Sequence, residues 1–144
     1  MSQLLILSEK DLGDATEYLE TQDWNFGGSE KEVVGYDSLT KIIWIKSSGL
    51  TSQERLTFYF LEQTQRYFCY QVSDKSAYQN LFVQSKQFKF DLLDTDAYEN
   101  ILTSIYRNYK YTIEMQRIFV PEYLKAGYSI TVFNNEIYKE MFNY

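Results

Sequence analysis

Leu56–Val72 reads LTFYFLEQTQRYFCYQV, and the way this stretch folds decides what kind of protein the chain makes. Leu56, Phe58 and Phe60, and then Tyr67 and Cys69, fall on alternate positions, the period of a strand with one buried face. Gln63, Thr64 and Gln65 separate the two runs, so the pattern predicts a hairpin with strands over Leu56–Glu62 and Arg66–Val72. The competing reading is a helix, since Thr51 and Glu54 have capping-box spacing. That helix would carry Gln63 on its apolar face, and the hairpin is favoured.

A hairpin at the centre makes its neighbours candidates for the same antiparallel sheet. Upstream, Glu32–Tyr36 and Lys41–Lys46 read as strands, the second rich in β-formers (Ile42, Ile43, Trp44, Ile45), with Ser47–Gly49 closing the pair. Trp24–Ser29 reads as a glycine-containing loop held by aromatic anchors. Before it, the short apolar run Leu4–Leu7 leads to an S-x-x-D start signal at Ser8 and Asp11. Leu12, Ala15, Tyr18 and Leu19 then recur at helical spacing, predicting a helix over Glu9–Gln22 that Gly13 weakens.

Downstream, Ser73 and Asp74 are placed to cap a short helix through Ala77, Leu81 and Phe82, and Gln87–Leu92 alternates as a strand. Asp96–Glu99 then opens the most regular helical pattern in the chain, with Tyr98, Ile101, Leu102, Ile105, Tyr106 and Tyr109 spaced i, i+3, i+4, i+7, i+8 and i+11. Tyr111–Val120 alternates loosely. Pro121 is placed to begin a short helix with Gly127 after its end, Ser129–Phe133 reads as a last strand, and Asn134 and Asn135 can cap a final helix carrying Ile137, Tyr138, Met141 and Phe142. No repeat or linker interrupts the run. The expectation is one domain over residues 1–144, of α+β class, with a mainly antiparallel sheet packed with three to four helices.

Composition removes most enzyme classes. The chain of 144 residues has no histidine, so it lacks the commonest general base, nucleophile partner and metal ligand. Its single cysteine, Cys69, can form neither an internal disulfide nor a CxxC pair, which suits a reducing compartment. Leu4–Leu7 has no preceding base and is too short for a signal peptide or anchor, so a cytoplasmic protein is expected. Aromatic residues are abundant: 14 Tyr, 10 Phe and 2 Trp. Tyrosine joins an apolar body to a polar tip, and suits both a core and a contact surface.

The net charge is −6, and it is not spread evenly. Glu9, Asp11, Asp14, Glu17, Glu20 and Asp23 face only Lys10 across Glu9–Asp23, whereas the rest of the chain is almost balanced. As a helix, this segment puts Leu12, Ala15 and Leu19 on one side and Asp14, Glu17 and Glu20 on the other. An ordinary solvated face accounts for such charge. A docking surface for something basic also does, and like charges three apart on a helix repel, so local stability gives no reason for their concentration.

Four further groups have candidate roles. Asp91, Asp94, Asp96 and Glu99 are a hard-cation set in principle, but they lack the calcium-loop spacing and helix capping at Asp96–Glu99 explains them better. Gly27, Gly28 and Ser29 match no phosphate-loop pattern and read as a turn. Cys69 reads as a buried, inert thiol. Tyr106, Arg107, Tyr109, Lys110 and Tyr111 interleave rings and bases as single-stranded nucleic-acid sites do, against which stand the acidic net charge and the core-facing spacing of the tyrosines.

In size and composition along the whole chain, without any motif, the sequence resembles bacterial immunity proteins, which bind and neutralise a toxin, often a basic nuclease. The resemblance implies a cytosolic inhibitor of the immunity or antitoxin kind that occludes a basic protein partner; composition and the missing motifs add the expectation of no catalysis, cofactor or metal and of no contact with nucleic acid or membrane. Glu9, Asp14, Glu17, Glu20 and Asp23 are the contact residues this reading selects. The alternatives are a nucleic-acid mimic, such as a phage anti-defence protein, and a small enzyme working with carboxylates.

Overall fold

The computed structural model describes residues 1–48, 52–120 and 125–142. The central hairpin is present: β3 (Ser52–Leu61) and β4 (Thr64–Val72) pair antiparallel, with Leu56 opposite Tyr70 and Phe58 opposite Phe68. Glu62 adopts a left-handed conformation (φ 58°) between them. β1 (Asn25–Val34) and β2 (Asp37–Ser48) complete a four-stranded meander with this hairpin.

A second meander, β5 (Asp91–Tyr98), β6 (Ile101–Arg107), β7 (Tyr111–Val120) and β8 (Lys125–Asn134), returns to pair β8 with β4, giving one antiparallel sheet in the order β1-β2-β3-β4-β8-β7-β6-β5. The helices are α1 (Ser2–Leu7), α2 (Leu12–Thr21), α3 (Lys75–Gln87) and α4 (Asn135–Phe142). α2 runs into edge strand β1, and α3 runs into edge strand β5. The arrangement is therefore a helix followed by a four-stranded meander, used twice and joined at β4 and β8, although no repeat is visible in the sequence.

Alternation builds the core. Leu56, Phe58 and Phe60 of β3, Phe68, Tyr70 and Val72 of β4, Ile130 and Val132 of β8, and Ile113 and Met115 of β7 are all buried. They form one cluster with Leu4 and Leu7 of α1, Ala15 and Leu19 of α2 and Tyr78 of α3. α4 lies on the other face, where Tyr138 meets Phe133 edge-on at 5.1 Å and donates to Glu114.

Several boundaries differ from the sequence reading. Asp96–Tyr109 is not a helix: Asp96 belongs to β5, Glu99 takes a turn conformation (φ 53°), and Ile101 opens β6. Ile101 and Ile105, and Leu102 and Tyr106, are four apart, so each pair shares a face in a helix and in a strand alike. The ladder from Ile101 opposite Ile118 to Arg107 opposite Thr112 favours the strand. The strand expected at Gln87–Leu92 gives way to a longer α3, and β5 begins only at Asp91. The loop expected at Trp24–Ser29 is strand from Asn25 onward, because Ile42–Ile45 of β2 offer a ladder to it, pairing Ser29 with Ile42 and Asn25 with Ile45. The helix expected after Pro121 falls largely on residues 121–124, outside the described residues, and Gly127 lies within β8.

Candidate docking surface

α2 is fixed at both ends by local chemistry. Asp11, not Ser8, is its N-cap: the Asp11 carboxylate accepts the Asp14 N–H at 2.9 Å, while Ser8 Oγ donates to the Leu5 carbonyl. Gln65 Nε2 of β4 donates to the carbonyls of Leu7 (2.8 Å) and Lys10 (2.7 Å), and the Leu12 N–H donates to the Gln63 carbonyl, strapping the entry of the helix to the β3–β4 turn. At the far end Trp24 N–H donates to the Leu19 carbonyl, and Asp23 sits at φ 62°.

Ala15 and Leu19 turn inward, so Asp14, Glu17 and Glu20 point outward; all three, and Asp23 beyond the helix end, are exposed. Among the described residues, none of these four side chains has an ion-pair partner. Lys10, the only base in the segment, lies with its ammonium 5.2 Å from the centre of the Tyr18 ring. The same preference recurs: Lys46 lies over Trp24, Lys86 over Phe82 and Tyr106, Arg107 over Tyr138, and Arg117 over Tyr78. Rings engage much of the positive charge, each contact worth about 0.5–1 kcal/mol at exposed sites. The acids on α2 are left uncompensated.

Their placement also opposes the helix. Asp14 in the first turn suits the positive end of the dipole, but Glu20 lies in the last turn and Asp23 just past it, with no base there. Acids at a carbonyl end cost roughly 0.3–1 kcal/mol, and Asp14–Glu17 and Glu17–Glu20 add like-charge pairs at i, i+3 spacing.

Glu9 has another role. Its carboxylate accepts the Tyr111 hydroxyl and pairs with Lys110 Nζ at 2.9 Å, clasping the α1–α2 connection to the start of β7. The Tyr111 and Lys110 hydrogen bonds hold this carboxyl below its ordinary range. Glu9 therefore stands apart from Asp14, Glu17 and Glu20, already engaged.

The other candidates resolve differently. Asp91, Asp94 and Asp96 share one face of β5, opposite Arg107, Ile105 and Thr103, and every residue of that strand is exposed. Asp94 accepts the Thr95 N–H, so the acids cap no helix. Among the described residues no group of three or more His, Cys, Asp or Glu is close enough to hold a metal ion. Gly27 and Gly28 form neither turn nor anion cradle: they lie in β1, where Gly28 (φ 133°) adjoins a bulge and a Cβ on Gly27 would come within 3.0 Å of Ile45 Cδ1. Cys69 is partly buried on β4, and burial raises its thiol pKa, in keeping with an unreactive group. Tyr106 and Tyr111 are buried, Arg107 donates through Nε to Thr112 and lies over the Tyr138 ring, and among the three tyrosines only Tyr109 is freely exposed, so the interleaved rings and bases form no stacking platform.

Among the described residues no helix is long and apolar enough to cross a membrane. Comparison of the chain with protein-family models, with curated proteins and with solved structures finds no match.

Proposed function

We propose that this chain is a protein-binding inhibitor of the immunity or antitoxin kind, acting in the cytoplasm, and that the outer face of α2 docks on a basic, nuclease-like toxin and occludes it. One observation carries the reading: Asp14, Glu17, Glu20 and Asp23 are exposed and without ion pairs, and two of them sit where they weaken their own helix. Residues placed where they cost stability suit a task outside the fold. A single-sign face speeds encounter with an opposite one and selects against wrong partners. Exposed Tyr98, Tyr109 and Phe26 offer aromatic contact area elsewhere on the surface.

The test is capture of the partner from the native host with tagged protein, repeated with the neighbouring gene product co-expressed. The expected result is one basic protein, recovered by the native chain and lost when Asp14, Glu17 and Glu20 are changed to Lys. Affinity should fall steeply with added salt. Capture that is indifferent to both the reversal and the salt would remove α2 as the docking face.

A further inference from the structure

Lys46 of β2 and Glu54 of β3 are direct partners in the antiparallel register, on the sheet face that α1, α2 and α3 cover. Opposite charges in that relation ordinarily pair. These two do not. The Lys46 ammonium lies over the Trp24 ring, 5.8 Å from its centre, and Glu54 Oε1 accepts the Tyr70 hydroxyl.

Both residues line the same opening, of about 470 Å³, between the three helices and the sheet. Leu4, Leu7 and Leu56, all buried, form its apolar side. A cation and an anion are thus held apart on one opening, each steadied by an aromatic side chain, and the Met1 ammonium, which donates to Gln84, lines it as a second cation. The volume lies within the usual range of small-molecule sites.

We propose that this opening binds a small zwitterion of the α-amino acid class with an apolar or aromatic side chain. The ligand's carboxylate meets Lys46, which keeps N–H donors free of the ring, and its ammonium meets Glu54, whose second oxygen has no hydrogen-bond partner among the described residues. The side chain lies against Leu4, Leu7 and Leu56. A ligand with an ammonium alone meets Glu54 but faces Lys46 and the Met1 ammonium, and one with a carboxylate alone faces Glu54, so the opening selects for both charges. Asp14, Glu17 and Glu20 do not line the opening, and the site is independent of the docking face.

The probes are L-phenylalanine, phenethylamine, which lacks the carboxylate, 3-phenylpropionate, which lacks the ammonium, and glycine, which lacks the side chain. Each is titrated into the full chain and followed by amide chemical shifts. L-Phenylalanine is expected to move the signals of residues 46, 54, 56 and 70 and to bind at least about tenfold tighter than each of the other three. Lys46→Gln, at a half-buried site with no partner but a ring among the described residues, is expected to keep the fold and cost at least about tenfold in affinity. Glu54→Gln should do the same if it folds; Lys46→Gln serves alone if it does not. No shift with any probe at concentrations up to about 10 mM would overturn the site, and phenethylamine or 3-phenylpropionate binding as tightly as L-phenylalanine would overturn the zwitterion.

Discussion

The two halves of the molecule share a topology and differ in where they carry charge. In the first half the acids lie on the helix, Asp14, Glu17 and Glu20 of α2, while edge strand β1 mixes signs through Glu30, Lys31 and Glu32, with Glu30 3.1 Å from Lys41. In the second half α3 carries Lys75 and Lys86, and the acids lie on edge strand β5 as Asp91, Asp94 and Asp96. The same kind of side chain therefore meets different physics. On α2 it projects from a helix anchored in the core. On β5 it lines the outermost strand of a sheet, where charge blunts the tendency of an unpaired edge to recruit another strand. Uncompensated acids at β5 thus have a structural reason to be there, and those at the end of α2 have none. This contrast is why the proposed docking face lies on the helix.

The largest expected effect comes from removing the anchor. Leu19 is fully buried on α2, and Leu19→Ala should cost about 3 kcal/mol in urea unfolding. Leu92→Ala on β5, where the side chain is 54% exposed, should stay within about 0.5 kcal/mol. Equal losses would show that the two acidic elements are held alike.

Next is the cap. Asp11→Ala removes the hydrogen bond to the Asp14 N–H and should cost about 1 kcal/mol. Asp96→Thr, which replaces a poor strand former with a good one, should gain a few tenths of a kcal/mol, on the order of the β-propensity differences between such residues. A loss at Asp96 as large as that at Asp11 would assign β5 an interaction that its exposure does not suggest.

A smaller effect, of reversed sign, is expected at the end of α2. Glu20→Lys and Asp23→Gly relieve the dipole and the left-handed backbone, and should each raise stability by about 0.5 kcal/mol. Under the proposed function both weaken partner binding. A gain in stability with no loss of binding would leave these acids without a role.

The smallest effect is a pH dependence that joins the halves. Tyr111 and Lys110, from the second half, hold Glu9 below its ordinary value of 4.5. A carboxyl whose pKa is depressed by folding stabilises the fold above its unfolded value, and that contribution is lost as pH falls through the lower folded value. Glu9→Gln should flatten the acid limb of the stability curve below 4.5, measured by thermal unfolding across pH. An unchanged limb would mean the clasp adds nothing to stability.

Much of the fold could be read from neighbouring residues. The hairpin at Leu56–Val72 follows from alternation and a polar interruption, and the caps Asp74 and Asn134 act on N–H groups two residues away, whereas the start of α2 reads one turn early in the sequence, at Ser8 instead of Asp11. Tyr111–Val120 alternates and is a strand. Asp96–Tyr109 was illegible for a specific reason: its i, i+4 apolar pairs fit both periods, and the hydrogen bonds that decide between them come from β7. The acidic face of α2 was visible, but Glu9's departure from it was not, because Tyr111 lies 102 residues away in sequence. Lys46 and Glu54 gave no signal at all, since their opposition exists only once the register of β2 on β3 is set.

The sequence alone determined the class of the fold, the central hairpin, the capped helices and the concentration of negative charge before Asp23, since each depends on residues within a turn or two of one another. Only the tertiary structure decided that Asp91–Arg107 is a pair of strands, that rings take up cations and leave the α2 acids free, and that Lys46 and Glu54 share a cavity without pairing. Those outcomes depend on groups far apart in the chain, and a ladder or a cavity can override a local period because its hydrogen bonds and buried area come from elsewhere.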